Sequence, residues 1–109
     1  MKNVKISKFA EKVYKFTKKI PKGKVSTYGQ IAKASGYGKS SRAVGNTLHK
    51  NPFAPVVPCH RVVNSNGFLA KNFGSGGIKS QQKLLESEGI VFDISGKVDL
   101  NKFQYFFKE

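Results

Sequence analysis

Cys59, the one cysteine of this sequence, stands in the run PVVPCHRVVNSNG, between a proline and a histidine. A free thiol has a pKa of about 8.5 and is only a few per cent ionised at neutral pH, so a nucleophilic cysteine needs a base, a cation or a helix N-terminus beside it. His60 is the adjacent base. Side chains of consecutive residues usually diverge, so a bridging water or a backbone kink is the expected route between His60 and the thiol. A third group must then orient the imidazole. Glu88 is the candidate: it is an acid on the packed side of a helix, where a bare carboxylate is costly and a histidine partner offsets that cost. Cys59, His60 and Glu88 thus read as nucleophile, base and orienter. The alternative is that Cys59 is a small hydrophobe filling a core.

The elements that must position these groups follow from spacing and caps. Ile6, Phe9, Ala10, Val13, Phe16 and Ile20 recur at three and four, which predicts an amphipathic helix over 6–20, ended by PKGK. Thr27 followed three residues later by Gln30 makes a capping-box pattern for a helix over 28–35. Ser40 or Ser41 caps a third helix, SRAVGNTLHKN, with Val44, Thr47 and Leu48 on one side and a stop at Asn51-Pro52. Two short helices around a Gly-containing turn read as a helix-turn-helix. The segment 53–73, rich in Pro, Val, Asn and Gly, reads as a buried loop or short strand. SGGIKSQQKLLESEG is a fourth helix, with Ile78, Gln81, Leu84, Leu85 and Glu88 on its packed face and Gly89 as its stop. A hairpin is expected around Ser95-Gly96, with Phe103, Phe106 and Phe107 closing the core. The fold class is α+β and mainly helical: a winged helix-turn-helix with a short β-hairpin.

Composition narrows the function. The 109 residues suffice for one core. Twenty Lys and Arg against six acids give a net charge of +14, more than solubility requires and of the sign that attracts polyanions, nucleic acid first. A solvated lysine-rich surface is the other reading. One cysteine makes no internal disulfide, and two separated histidines make no zinc set, so no metal is expected. The first sixteen residues are charged throughout and hold no long apolar run, which argues against a signal peptide or a membrane span and for an intracellular protein.

Four runs together resemble a known family. PVVPCHRVVNSNG is similar to the active-site signature of the 6-O-alkylguanine-DNA alkyltransferases. GKVSTYGQIAKASG resembles the first helix of that family's helix-turn-helix, SRAVGNTLHKNP its recognition helix, and SGGIKSQQKLLESEG its final helix. They occur in the family's order and near its spacing, over about 9–88. The resemblance implies that 1–109 is one alkyltransferase DNA-binding and active-site domain, without the N-terminal domain that members usually carry.

It also implies a stoichiometric, irreversible reaction, in which Cys59 takes the alkyl group from 6-O-alkylguanine in duplex DNA after the base is flipped out. His60 and Glu88 assist, and no cofactor takes part. Arg42 matches the arginine that enters the base stack; an ordinary phosphate contact is its alternative. Tyr28 matches the tyrosine that displaces the phosphate and offers its hydroxyl to the flipped base; packing between helices is the alternative. Ser41, Ala43 and Gly45 would lie against DNA, the two small residues permitting close approach to the minor groove. Val62, Val63 and Ser75 would line the guanine pocket, unless Ser75 is only a helix cap. Asn51 matches a structural asparagine that ties the recognition helix to the active-site loop. The partner implied is double-stranded DNA bound by a monomer, with no membrane.

The sequence departs from the family at Gln81, where many relatives carry lysine, and in the longer loop GFLAKNFGSGG, which has Phe73 where tyrosine is common. Two other readings stand beside the alkyltransferase. Alkyltransferase-like proteins bind the lesion without repairing it, but usually replace the cysteine with tryptophan. A plain basic winged-helix protein would bind undamaged duplex equally well and form no adduct.

Overall fold

Helix α1 (Lys8–Lys18) buries Ala10, Val13, Tyr14 and Thr17 on one side, and Ser7 caps it by accepting from the Ala10 amide at 3.0 Å. It is shorter than the apolar spacing predicts: Ile20 is buried beyond its end, and Ile6 lies outside the described residues. The computed structural model describes residues 7–53, 56–69 and 77–107. Strand β1 (Ser26–Thr27) leads directly into α2 (Tyr28–Ala34), capped by Thr27 Oγ1, which accepts from the Gln30 amide at 3.1 Å. The end of α2 turns at Gly36, whose φ of +88° is open to glycine at little cost. There the amides of Gly36 and Tyr37 reach back to the carbonyls of Lys33 and Ala32, closing a Schellman motif. Helix α3 (Ser41–His49) follows with Ser40 as its N-cap, whose side chain makes no capping bond. Helices α2 and α3 pack chiefly on each other, with α1 across both.

After α3 the chain makes a 3₁₀ turn at Cys59–Arg61 and enters β2 (Val62–Val63), which pairs in parallel with β1, Ser26 opposite Val62 and Thr27 opposite Val63. Helix α4 (Gly77–Ser87) and α5 (Leu100–Phe103) complete the described helices. The chain after α5 lies on the other side of β1: Val25 donates to the Phe103 carbonyl and accepts from the Tyr105 amide, at 2.9 and 2.7 Å. Between α4 and α5 a hairpin pairs Phe92 with Val98, its turn held by the Asp93 carboxylate accepting from the Ser95 and Lys97 amides.

The core is in two parts that meet at β2. Val62 belongs to the cluster beneath α1, α2 and α3, with Val13, Ile20, Ile31, Val44 and Leu48. Val63 belongs to the cluster beneath α4 and the hairpin, with Val25, Leu85, Ile90 and Val98. Successive strand residues face opposite ways, so two residues reach two cores. The fold is mostly helical, as its sequence predicts. Two expectations need correction. Phe106 is 63% exposed and closes nothing, whereas Phe107 packs edge-on against Phe16. On α4 only Gln81 and Leu85 are buried, and Ile78 and Leu84 stand out from the surface, because the second core meets that helix along a narrow stripe.

Candidate active site

The 3₁₀ turn fixes where Cys59 can be. Proline at position 58 has no amide to donate and a preset φ, and the turn closes with Arg61 donating to the Pro58 carbonyl at 2.9 Å. Upstream, Asn51 joins the end of α3 to this segment: Nδ2 donates to the Val57 carbonyl at 2.8 Å, and Oδ1 accepts from the Phe53 amide at 2.8 Å. Cys59 is half-buried against the first core, beside Tyr28 and Tyr14.

His60 is buried, with Nε2 3.0 Å from Glu88 Oε2. An ionised carboxylate can only accept, so Nε2 carries the proton and Nδ1 is the basic nitrogen of the neutral ring. Among the described residues no direct hydrogen bond joins His60 to Cys59, as expected for neighbours in sequence. Two of the three groups therefore touch directly, and the thiol lies one residue away on the same turn.

Arg61 is the site residue that the sequence reading did not single out. Its Nε donates to Glu88 Oε1 at 2.9 Å, its Nη2 to Glu88 Oε2 at 2.7 Å, and its Nη1 to the Ile20 carbonyl at 2.9 Å. The two contacts to Glu88 form a bidentate pair, the strongest arrangement available to a guanidinium and a carboxylate. The available signal was a cation beside the histidine facing an acid on a packed face. Glu88 itself is the C-cap of α4, where the carbonyl ends of the helix repel an anion. Burial would raise its carboxyl, but the hydrogen bonds from Arg61 and His60 and the charges behind them outweigh burial and hold it below the usual carboxylate range. Glu88 is therefore an ionised, doubly held acceptor for the imidazole.

Gln81 enters from α4, fully buried, and its Nε2 donates to the carbonyls of His60 and Val62 at 2.9 and 3.1 Å. Val62 and Val63 are themselves fully buried, one in each core, and the Val62 main chain is engaged at both ends, its amide on the Cys59 carbonyl and its carbonyl on Gln81. Ser75 lies outside the described residues. Among the described residues no three His, Cys, Asp or Glu side chains are placed to hold a metal ion.

Tyr28 is the first residue of α2, half-buried over α3, where a Cβ at Gly45 would sit 3.7 Å from its ring. Burial, and after it the nearby Cys59, pushes the Tyr28 hydroxyl up to about 12, so it remains a proton donor at neutral pH. The Tyr14 hydroxyl is raised by the same two causes and donates to the Thr47 carbonyl at 3.1 Å. At the start of α3, Ser41 and Arg42 are exposed, while Ala43 and Gly45 are half-buried. A thiol, a buried histidine–carboxylate pair and a raised tyrosine thus lie behind a helix-turn-helix whose second helix opens with an exposed arginine. No described helix is long and apolar enough to cross a membrane.

Comparison with known proteins agrees with this arrangement. The family model described as 6-O-methylguanine DNA methyltransferase, DNA binding domain, matches residues 8–90. The chain is 47% identical over 88 residues to the methylated-DNA–protein-cysteine methyltransferase of Saccharolobus solfataricus, covering 81% of this chain and 55% of that protein. It is 33% identical over 97 residues to the DNA base-flipping protein of Escherichia coli, covering 89% and 74%. The crystal structure of S. pombe Atl1 in complex with damaged DNA containing O6-carboxymethylguanine superposes with a TM-score of 0.79 at 35% identity, covering 94% of this chain and 98% of that one. The chain spans about half the length of the curated methyltransferases it matches.

Proposed function

The chain belongs to the family of the 6-O-methylguanine DNA methyltransferase DNA-binding domain, and from that premise we propose that it repairs alkylated DNA by moving the alkyl group of a 6-O-alkylguanine irreversibly onto Cys59. The observation that carries this reading is the intact thiol on a turn whose next residue, His60, is held by an ionised Glu88. In the reaction His60 takes the thiol proton, through water and at Nδ1, and the imidazolium is stabilised by Glu88. Cys59 Sγ bonds to the alkyl carbon as the carbon–oxygen bond breaks, and the electron pair stays on the guanine oxygen. The base takes up one proton and the protein keeps a thioether, so each molecule acts once. No cofactor enters this balance.

A guanine inside a duplex must leave the stack before the thiol can reach it, at a cost of a few kcal/mol that is smaller for a damaged base. Arg42, exposed at the start of α3, fills the vacated space, and Tyr28, with its proton retained, donates to the extruded nucleotide. Ser41, Ala43 and Gly45 give α3 the slim profile that minor-groove entry needs. Val62 and Val63, with the backbone of Cys59 and with Ser75, line the base pocket. The net charge supplies affinity for duplex that weakens steeply with salt. The protein works as an intracellular monomer.

A second reading, a damage sensor that binds the lesion without repair, draws on the similarity to S. pombe Atl1, which extends over nearly all of both chains. Wild type beside Cys59→Ala separates the two, because a sensor transfers nothing in either whereas an alkyltransferase loses transfer with the thiol. For the alkyltransferase, methyl transfer is abolished while binding to a duplex with 6-O-methylguanine stays within about threefold of wild type, less than 1 kcal/mol. Transfer retained by the variant would contradict the assignment of Cys59.

A further inference from the structure

Gln81 is the bulkiest polar side chain with no exposure at all. Buried amides ordinarily satisfy both ends, and this one satisfies only its donor. Nε2 bonds the carbonyls of His60 and Val62, while Oε1 is enclosed without a hydrogen-bond partner among the described residues. Because both partners are acceptors, the amide cannot be reversed without setting oxygen against oxygen, so its orientation follows from its surroundings. A leucine would fill the space without an unmet acceptor; the two donated bonds are what the glutamine adds. They fall on either side of Arg61, on a turn whose own hydrogen bonds are Arg61 to Pro58 and Val62 to Cys59.

We propose that Gln81 is a positioning residue for the thiol. By gripping the main chain at His60 and Val62 it fixes the turn, so that Cys59 faces the substrate while His60 remains on Glu88, and it does so without adding charge. The inference rests on Cys59 being the alkyl acceptor, and deepens that reading by assigning its orientation to an α4 side chain. A lysine in this place would also donate to both carbonyls, but would set a cation against the carbonyl of His60, the residue after the thiol. The glutamine adds no charge of its own to the His60 and Arg61 side chains already on the turn.

The test compares wild type, Gln81→Met and Gln81→Lys in two assays across roughly pH 5 to 9, the range in which imidazoles and thiols titrate. One is single-turnover methyl transfer from a duplex with 6-O-methylguanine. The other is alkylation of Cys59 by iodoacetamide, which needs no DNA. Gln81→Met is expected to slow transfer at least about tenfold, with affinity for the lesion changed less than about twofold. Gln81→Lys is expected to recover the rate and to move the iodoacetamide midpoint down by about one pH unit, since an adjacent cation favours the thiolate. A role in folding alone would lower thermal stability in both variants with no split between rate and affinity and no shifted midpoint, and that result overturns the proposal. If Gln81→Met does not fold, Gln81→Asn, whose shorter amide cannot span both carbonyls, replaces it in both assays. If wild type transfers no methyl group, the alkyltransferase reading fails by itself, and a rate of Cys59 alkylation by iodoacetamide unchanged in Gln81→Met would be what refutes the role of Gln81.

Discussion

The turn that carries Cys59 and the helix α3 that carries Arg42 in its first turn are held in opposite ways. Three side chains from two separate segments hold the turn: Asn51 upstream at Val57, and from α4 and its C-cap Gln81 at the carbonyls of His60 and Val62 and Glu88 at both His60 and Arg61. Helix α3 is held from beneath by Val44 and Leu48, and its outer residues Ser41 and Arg42 are free in solvent behind an N-cap whose side chain bonds nothing. The difference matches the two tasks that the proposed reaction would set. Displacement at carbon requires the sulfur in a narrow range of positions, where small misplacements cost large factors in rate. Contact with a duplex tolerates side chains that settle on arrival, and supplies its affinity largely through charge.

The contrast breaks first, and by most, at Arg61. Arg61→Ala leaves Glu88 at a helix C-terminus with His60 as its only described partner, and removes the tie to Ile20. Loss of one member of a fully buried ion pair costs about 3 kcal/mol or more; Arg61 and Glu88 are only partly buried, so about 2 kcal/mol is expected, and urea denaturation should show it together with slower transfer; unchanged stability would mean that the turn is held by packing alone. The pH dependence of stability is the next effect in size. The folded carboxyl of Glu88 is depressed, so its stabilisation is complete above the unfolded value of about 4.3 and is lost as pH falls from there through the folded value. The melting temperature of wild type should therefore drop more steeply below that pH than that of Glu88→Gln, and parallel curves would remove Glu88 from the account of stability. The smallest effect on stability is expected at the other region. Arg42→Ala should change it by no more than about 0.5 kcal/mol while weakening lesion-DNA binding severalfold; a large loss of stability would show that α3 is not the loosely held element described.

Local signals in the sequence account for much of this. Apolar spacing marked α1, Thr27 and Gln30 marked the start of α2, and Gly89 marked the end of α4, because each depends on residues within a turn or two. The pairing of His60 with Glu88 was legible from the cost of a carboxylate on a packed face. Arg61 was not, since its role arises only when the end of α4 and the carbonyl of Ile20 meet the same guanidinium across the fold. Gln81 could be placed on the packed face, but which atoms its amide meets depends on the approach of α4 to the turn. The division of the core at Val62 and Val63 left no trace either, because two residues are too few to display a period. Phe106 shows the converse error, since aromatic character alone does not decide burial near a chain end.

The claim on which the rest depends is that Cys59 accepts the alkyl group. Intact-mass spectrometry of the protein after mixing with a duplex that carries one 6-O-methylguanine, followed by peptide mapping, tests it directly. A gain of one methylene, located on Cys59, is the expected result. Tight binding of the same duplex with no gain in mass would contradict it and leave a lesion sensor that keeps its cysteine.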